Sequence, residues 1–185
     1  MMTHCGQFVL LASYNAWMNA KLYEAAGTLP ERELALDRKA FFGSIIGTLN
    51  HIVVADTIWL RRFATHPARH NTLDPIRAAS APSSLDQIQF SDLASLFEHR
   101  KWLDQIITQW IAELGDEDLR HVLHYANTKG VVADRRLSNL LLHFFNHQTH
   151  HRGQVTTLLS QAGVDVGVTD LLILVPNEIE KEPAR

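Results

Sequence analysis

The chain has 185 residues, enough for one hydrophobic core, and the sequence predicts a single domain over residues 1–185. Hydrophobic residues make up 46% and charged residues 20%, which excludes a disordered or fibrous protein. A net charge of −3 lacks the basic excess that nucleic-acid binding requires. The one cysteine, Cys5, cannot form an internal disulfide, and the N-terminus shows no leader-like pattern, so we expect a cytoplasmic protein.

Apolar residues that recur every three or four positions predict two long helices in the first third of the chain. The first helix runs from about residue 6 to 26 and ends before Gly27 and Pro30. The second begins at Asp37, the predicted N-cap, and continues to about Phe63. Because this second helix is apolar nearly all round, we expect it to lie centrally.

A long connection follows over residues 65–89, where prolines and small polar residues show no periodicity and predict at most one short turn. A third amphipathic helix begins near Ser91 and ends at Gly115. No uncharged stretch reaches the roughly 18 apolar residues of a membrane span, so no membrane partner is expected.

The last third of the chain predicts a small hairpin with its turn near residues 127–130, followed by a fourth helix over 136–162. The apolar run 171–176 must pack on its own bundle or on a partner chain. The four long helices predict an all-α fold, a four-helix bundle with a long connection between helices 2 and 3.

Histidines in two of these helices predict a metal site. His147 and His151 are four residues apart, so both imidazoles can reach one point beside the fourth helix. His51 stands in the most hydrophobic helix, where a buried imidazole requires a polar partner. That partner could be a backbone carbonyl or an asparagine, but the pair on the fourth helix favours a shared metal ion. Three histidines with open positions are typical of catalytic zinc sites.

Two segments around these histidines resemble a known family. The fourth helix carries the run His147-Gln148-Thr149-His150-His151-Arg152-Gly153-Gln154, and Asn50 precedes His51. These residues resemble the DinB/YfiT-like family of metal-dependent proteins. Residues 14–19 and 167–171 are similar to its DinB branch, which is unrelated to the DNA polymerase that shares the label.

The resemblance implies a DinB-like helical bundle, often a homodimer, that holds a divalent ion through three histidines. The implied metal ligands are His51, His147 and His151, and His150 is not among them. Imidazole accepts several metals, and we expect zinc or nickel before iron or copper.

The remaining polar residues near the site have weaker assignments. His143, one turn before His147, could orient a ligand or a bound water, or serve in packing. Asp56 lies about 140° round the helix from His51 and should bond to a neighbouring helix instead of the ion. Arg152 and Gln154 could serve helix packing or solvent contact instead of substrate. Six histidines show no ligand spacing and are interpreted as surface residues, the last two also as candidates for a pocket mouth: His4, His66, His70, His99, His121 and His124.

The residues of the three-histidine site limit the types of reaction that we expect. Gln148 stands where helical metalloproteases carry a glutamate general base, so the sequence disfavours a peptidase of that type. A divalent ion on three neutral ligands activates bound water or stabilises a thiolate. The resemblance implies an enzyme of the thiol-transferase or hydrolase type that acts on a small molecule, such as a low-molecular-weight thiol. The alternative is a non-catalytic metal-binding protein of a stress response.

Overall fold

A computed structural model describes residues 4–177. In chain order its helices and strands are α1 (His4–Ala26), α2 (Glu31–Ala35), α3 (Ile45–Phe63), α4 (Asp74–Ala78), α5 (Leu93–Glu113), α6 (Asp116–Arg120), β1 (Val122–Ala126), β2 (Val132–Arg136) and α7 (Leu137–Gln161). Helices α1 and α3 both pack against α5 and α7, so α1 and α3 lie at opposite corners of a four-helix bundle. The predicted all-α bundle is confirmed.

Helix α3 contributes more to the core than its length suggests, because it is buried on nearly every side, as predicted. At its C-terminal end the ring of Phe63 stacks on Trp110 of α5 at 5.1 Å and meets the edge of Phe144 of α7 at 5.7 Å. Burying each such aromatic side chain contributes about 1.5–3 kcal/mol to folding. This cluster fixes α3 against α7, the pair of helices that carries the three candidate ligands.

Helix α3 begins later than the sequence predicts. Ser44, not Asp37, is the N-cap, and its side chain accepts a hydrogen bond from the backbone N–H three residues on. Asp37 instead accepts from the backbone N–H of Lys39, inside a turn where Lys39 (φ 57°) and Gly43 (φ 72°) are left-handed. A right-handed helix cannot continue through such residues, so Phe42 belongs to a turn at the start of α3.

The predicted hairpin is confirmed. Strands β1 and β2 are antiparallel, and Leu123 lies opposite Arg135. The side chain of Asn127 closes the turn by accepting hydrogen bonds from two backbone N–H groups, and Gly130 supplies the left-handed residue at φ 78°. Because β2 ends directly at the start of α7, the hairpin lies beside the N-terminal half of that helix.

The long connection and the apolar tail both pack on the bundle. The connection between α3 and α5 contains a 3₁₀ turn, Asn71–Leu73, that leads into α4. A second 3₁₀ turn, Leu171–Leu174, lies beside α1, and its side chains Leu172 and Ile173 stay 74% and 58% exposed. Within residues 4–177, no helix combines the length and apolar character needed to cross a membrane. The homodimer stays a prediction.

Candidate metal centre

Three imidazoles, one from α3 and two from α7, meet at their Nε2 atoms. The Nε2 atom of His151 lies 3.2 Å from that of His51 and 3.1 Å from that of His147. Two nitrogens bound to one tetrahedral zinc ion lie roughly 3.3 Å apart, because each Zn–N bond measures about 2.0–2.1 Å. The three predicted residues are therefore brought together at a spacing that could hold one metal ion.

The hydrogen bonds at the opposite ring nitrogens set the protonation of two imidazoles. His51 donates from Nδ1 to the backbone oxygen of Leu85 at 2.7 Å, and His151 donates from Nδ1 to Oε1 of Gln154 at 2.8 Å. A neutral imidazole carries a single N–H, so both Nε2 atoms keep their lone pairs. Two lone pairs that face each other across 3.2 Å cannot hydrogen-bond, whereas a cation between them would satisfy both.

Burial keeps these imidazoles neutral. Desolvation lowers the pKa of His51 to about 4, against the opposing effect of its hydrogen bond to Leu85. Desolvation, followed by repulsion from neighbouring imidazoles, lowers the pKa of His147 to about 3. Desolvation also lowers the pKa of His151. At neutral pH the three rings can therefore bind a cation without first releasing protons.

The side chain of Asn50, the residue before His51, is hydrogen-bonded to the connection between α3 and α5. Its side-chain oxygen accepts from the backbone N–H groups of Gln89 and Phe90, and its amide donates to the backbone oxygen of Phe90 at 3.0 Å. These bonds fasten to α3 the same connection that supplies the Leu85 oxygen to His51. Asn50 therefore orients its neighbour indirectly, a role that the sequence alone does not indicate.

A phenylalanine covers the imidazoles. The ring of Phe42 stacks on His51 with 3.8 Å between ring centroids and turns its edge to His151 at 5.6 Å. Phe42 makes this contact from the turn that precedes α3, a segment that the sequence predicted to be helical. It shields one side of the nitrogen cluster from water, which strengthens the electrostatic interaction of any cation bound there.

A buried polar network lies next to the centre and involves all four long helices. Asp56 of α3 pairs with Arg100 of α5 at 2.5 Å, and Arg100 also pairs with Asp104 at 2.9 Å. Asn15 of α1 donates to Asp104 at 3.0 Å and accepts a hydrogen bond from Arg152 of α7. The prediction that Asp56 bonds to a neighbouring helix is confirmed, and Arg152 packs inside the bundle.

The two histidines beside the candidate ligands have different surroundings. The ring of His143 meets Trp59 edge-on at 5.0 Å and lies 5.9 Å from the ring of His147. His143 also lines a cavity whose lining does not include the three candidate ligands. His143 and His150 are both exposed, and the ring nitrogen of His150 faces the amide of Gln154 at 3.4 Å.

The interpretation of six histidines as surface residues is wrong for His66, whereas His70, His99 and His121 are partly buried. His66 is only 5% exposed, and the folding of the connection brings it against His121 with 4.5 Å between ring centroids. His99 lies half-buried between two aromatic rings. His4 and His124 are exposed, and His124 pairs with the carboxylate of β2 beside it at 2.8 Å. Periodicity misses such burial because loops carry no repeating apolar face.

Comparison with known proteins identifies the family of this chain. The chain is 27% identical over 160 residues to Protein DinB of Bacillus subtilis (strain 168), and the match covers 86% of this chain and 88% of that relative. The model of the DinB family matches residues 1–182, which include all three histidines of the candidate centre. The chain therefore belongs to the DinB family.

Proposed function

We propose that the protein binds one divalent metal ion through His51, His147 and His151 and uses it to transform a small molecule. One observation carries the proposal: the Nε2 lone pairs of His51 and His151 face each other at 3.2 Å, and each ring is locked by a hydrogen bond at its other nitrogen. Without a cation this arrangement is repulsive. Zinc and nickel, which imidazole binds well, are the proposed metals.

The donor set suits an enzyme of the thiol-transferase or hydrolase type. A divalent ion held by three neutral ligands would supply a Lewis acid that lowers the pKa of a bound thiol or water. His143 is the residue of this chain placed to accept a proton. Partial desolvation, followed by the nearby charges of Arg62 and Arg135, lowers the pKa of His143, so its ring is unprotonated at neutral pH and has a lone pair that can accept a proton.

A cavity that reaches the surroundings of the centre through His143, the neighbour of His147, favours catalysis over metal storage. It has a volume of about 360 Å³ and is lined by His143, Trp59 and Tyr125 together with two arginines, Arg62 and Arg135. A metal store needs no such space, whereas a substrate does. This contrast separates the proposed enzyme from the alternative, a non-catalytic metal-binding protein of a stress response.

The arginines of this cavity indicate an anionic substrate. The guanidinium of Arg62 lies 4.6 Å from the ring of Trp59 and 5.2 Å from that of Tyr125. Within residues 4–177, neither Arg62 nor Arg135 has a carboxylate partner. An arginine held over two aromatic rings and a second arginine in the same lining, both without a carboxylate partner, favour a carboxylate or a phosphate. A low-molecular-weight thiol that carries a carboxylate fits both the cavity and the metal chemistry.

Metal content tests the binding half of the proposal. We expect about one tightly bound divalent ion at this centre in the purified protein, and its loss in His147→Ala and in His151→Ala. His150→Ala is the matched control, because that imidazole lies on the same helix but outside the cluster, and it should keep the ion. Elemental analysis after dialysis gives the result, and an unchanged metal content in both ligand variants would refute the assignment.

Turnover tests the catalytic half. Zinc-loaded and nickel-loaded protein is assayed for transfer of carboxylate-bearing thiols to electrophiles and for ester hydrolysis. We expect activity that disappears in His147→Ala, and a raised KM with little change in kcat in Arg62→Leu. Metal-loaded protein that is inactive throughout this panel would support the non-catalytic alternative against the proposed enzyme.

A further inference from the structure

A second cluster of candidate ligands lies at the other end of α3. His66 follows the C-terminal end of α3, His70 lies in the connection, and Asp118 belongs to α6. One ligand atom from each lies within 4.8 Å of the others. We propose that His66, His70 and Asp118 form a second divalent-cation site, independent of the three-histidine centre.

The carboxylate of Asp118 is fixed with one oxygen facing the imidazoles. Its Oδ2 atom accepts a hydrogen bond from the backbone N–H of Gly115 at 2.8 Å. Its Oδ1 atom lies 3.6 Å from Nε2 of His70 and 3.9 Å from Nδ1 of His66. These separations are too long for hydrogen bonds. They match a shared ion, because ligands at about 2.0–2.2 Å from one cation lie up to roughly 4 Å apart.

His70 has the arrangement of a metal-bound histidine. Its Nδ1 atom faces the carboxylate of Glu113 at 3.4 Å, on the side away from Asp118. Its Nε2 atom is buried without a hydrogen-bond partner within residues 4–177. A histidine that ligates metal commonly turns its other nitrogen to a carboxylate, which orients the ring and raises its basicity.

His66 contributes a buried, neutral ring. It is 5% exposed, and desolvation, reinforced by the neighbouring His121, lowers its pKa. Its Nδ1 atom accepts a long hydrogen bond of 3.2 Å from the backbone N–H of Ala68. A cation at Nδ1 would take over the same lone pair, so binding must release this N–H. A change in the environment of the Ala68 amide would therefore indicate that a cation has bound at this site.

The two sites are far enough apart to be measured separately. His51 lies twelve residues before Phe63, the end of α3, which corresponds to about 18 Å of helix, and His66 follows that end. No side chain belongs to both clusters. A substitution at one site should therefore leave zinc binding at the other unchanged.

Zinc stoichiometry distinguishes the sites. Isothermal titration of metal-free protein with zinc should give two ions per chain, and one ion in His66→Ala or Asp118→Asn. Asparagine keeps an oxygen for the Gly115 N–H, so Asp118→Asn preserves the cap while it removes the charge. His124→Ala, an exposed histidine beside a carboxylate, is the matched control and should bind two. Circular dichroism confirms that each variant is folded.

The outcomes separate this proposal from the proposed function. One zinc ion in the wild type, retained in His66→Ala and lost in His147→Ala, would overturn the second site and leave the first intact. One ion that persists in His147→Ala but is lost in Asp118→Asn would support the second site alone. As an independent readout, zinc added to ¹⁵N-labelled His147→Ala should shift the Ala68 amide resonance, and an unmoved resonance would overturn the second site.

Discussion

The affinity of the three-histidine centre for metal should depend weakly on pH. A metal ion must displace any proton from its ligands, so binding weakens as the pH falls towards the ligand pKa values. Three imidazoles with the ordinary pKa of about 6.5 would together lose roughly 10⁴-fold in affinity between pH 7.5 and 5.0. Burial has lowered the pKa to about 4 at His51 and about 3 at His147.

The lowered pKa values of His51 and His147 make the expected loss of metal affinity much smaller. With those pKa values, both rings remain unprotonated at pH 5.0, and their protonation weakens binding by only about 1.1-fold in total. Even if His151 titrated like a free imidazole, it would add a loss of roughly 30-fold. Because desolvation lowers its pKa as well, the total loss should be smaller than this. The gap between 30-fold and 10⁴-fold is wide enough to measure.

Isothermal titration with zinc at pH 7.5, 6.0 and 5.0 in weakly coordinating buffers measures this dependence. The protein used is Asp118→Asn, so that the proposed second site does not contribute. Circular dichroism must show folded protein at each pH, because imidazoles that are neutral only when folded make stability fall as the pH drops below about 6.5. A loss in affinity above 10³-fold in folded protein would refute the reasoning that burial keeps these rings unprotonated.

Two further substitutions test the groups that support the centre. Gln154→Leu removes the oxygen that orients His151 and should weaken zinc binding by about 10–100-fold in isothermal titration. Gln154→Glu keeps an acceptor and should retain binding. Equal zinc affinities in the two variants would contradict this role of Gln154. Arg100→Leu leaves the buried carboxylates of Asp56 and Asp104 without their shared partner and should lower the free energy of unfolding by about 3–5 kcal/mol in urea denaturation. A change below about 1 kcal/mol would show that the two carboxylates are protonated or hydrated.

The sequence predicts the helices because they depend on local periodicity, and it predicts the three ligands through spacing, burial and the family resemblance that selects His151 over His150. The spacing of His147 and His151 places them on one helix face whatever surrounds the helix. His51 is predictable because its helix is too apolar to leave an imidazole without a partner. In contrast, the start of α3 depends on two left-handed residues, one of them Lys39, and the apolar pattern runs through that turn without a break.

The second cluster is hidden from the sequence for a related reason. The interpretation that these histidines show no ligand spacing is wrong, because His66 and His70 are four residues apart. They lie beyond the end of α3, however, where no periodicity marks a face. Asp118 joins them only because α6 packs near the connection. Residues that converge through loops leave no local signal in one sequence, and a histidine buried in this way is indistinguishable from one at the surface.

The run from His151 to Gln154 shows how one short motif serves both the centre and the bundle. Successive residues on a helix are about 100° apart, so His151 faces α3 while Arg152 enters the polar network inside the bundle. Gln154 is one turn beyond His151 and returns to its Nδ1 atom. Nothing within 4 Å would meet a Cβ atom at Gly153, so packing does not explain that glycine. Arg152 therefore fixes α7 in the core of the bundle, and Gln154 fixes the ring of the ligand His151. Because both residues belong to one short motif, the geometry of the centre depends on correct helix packing.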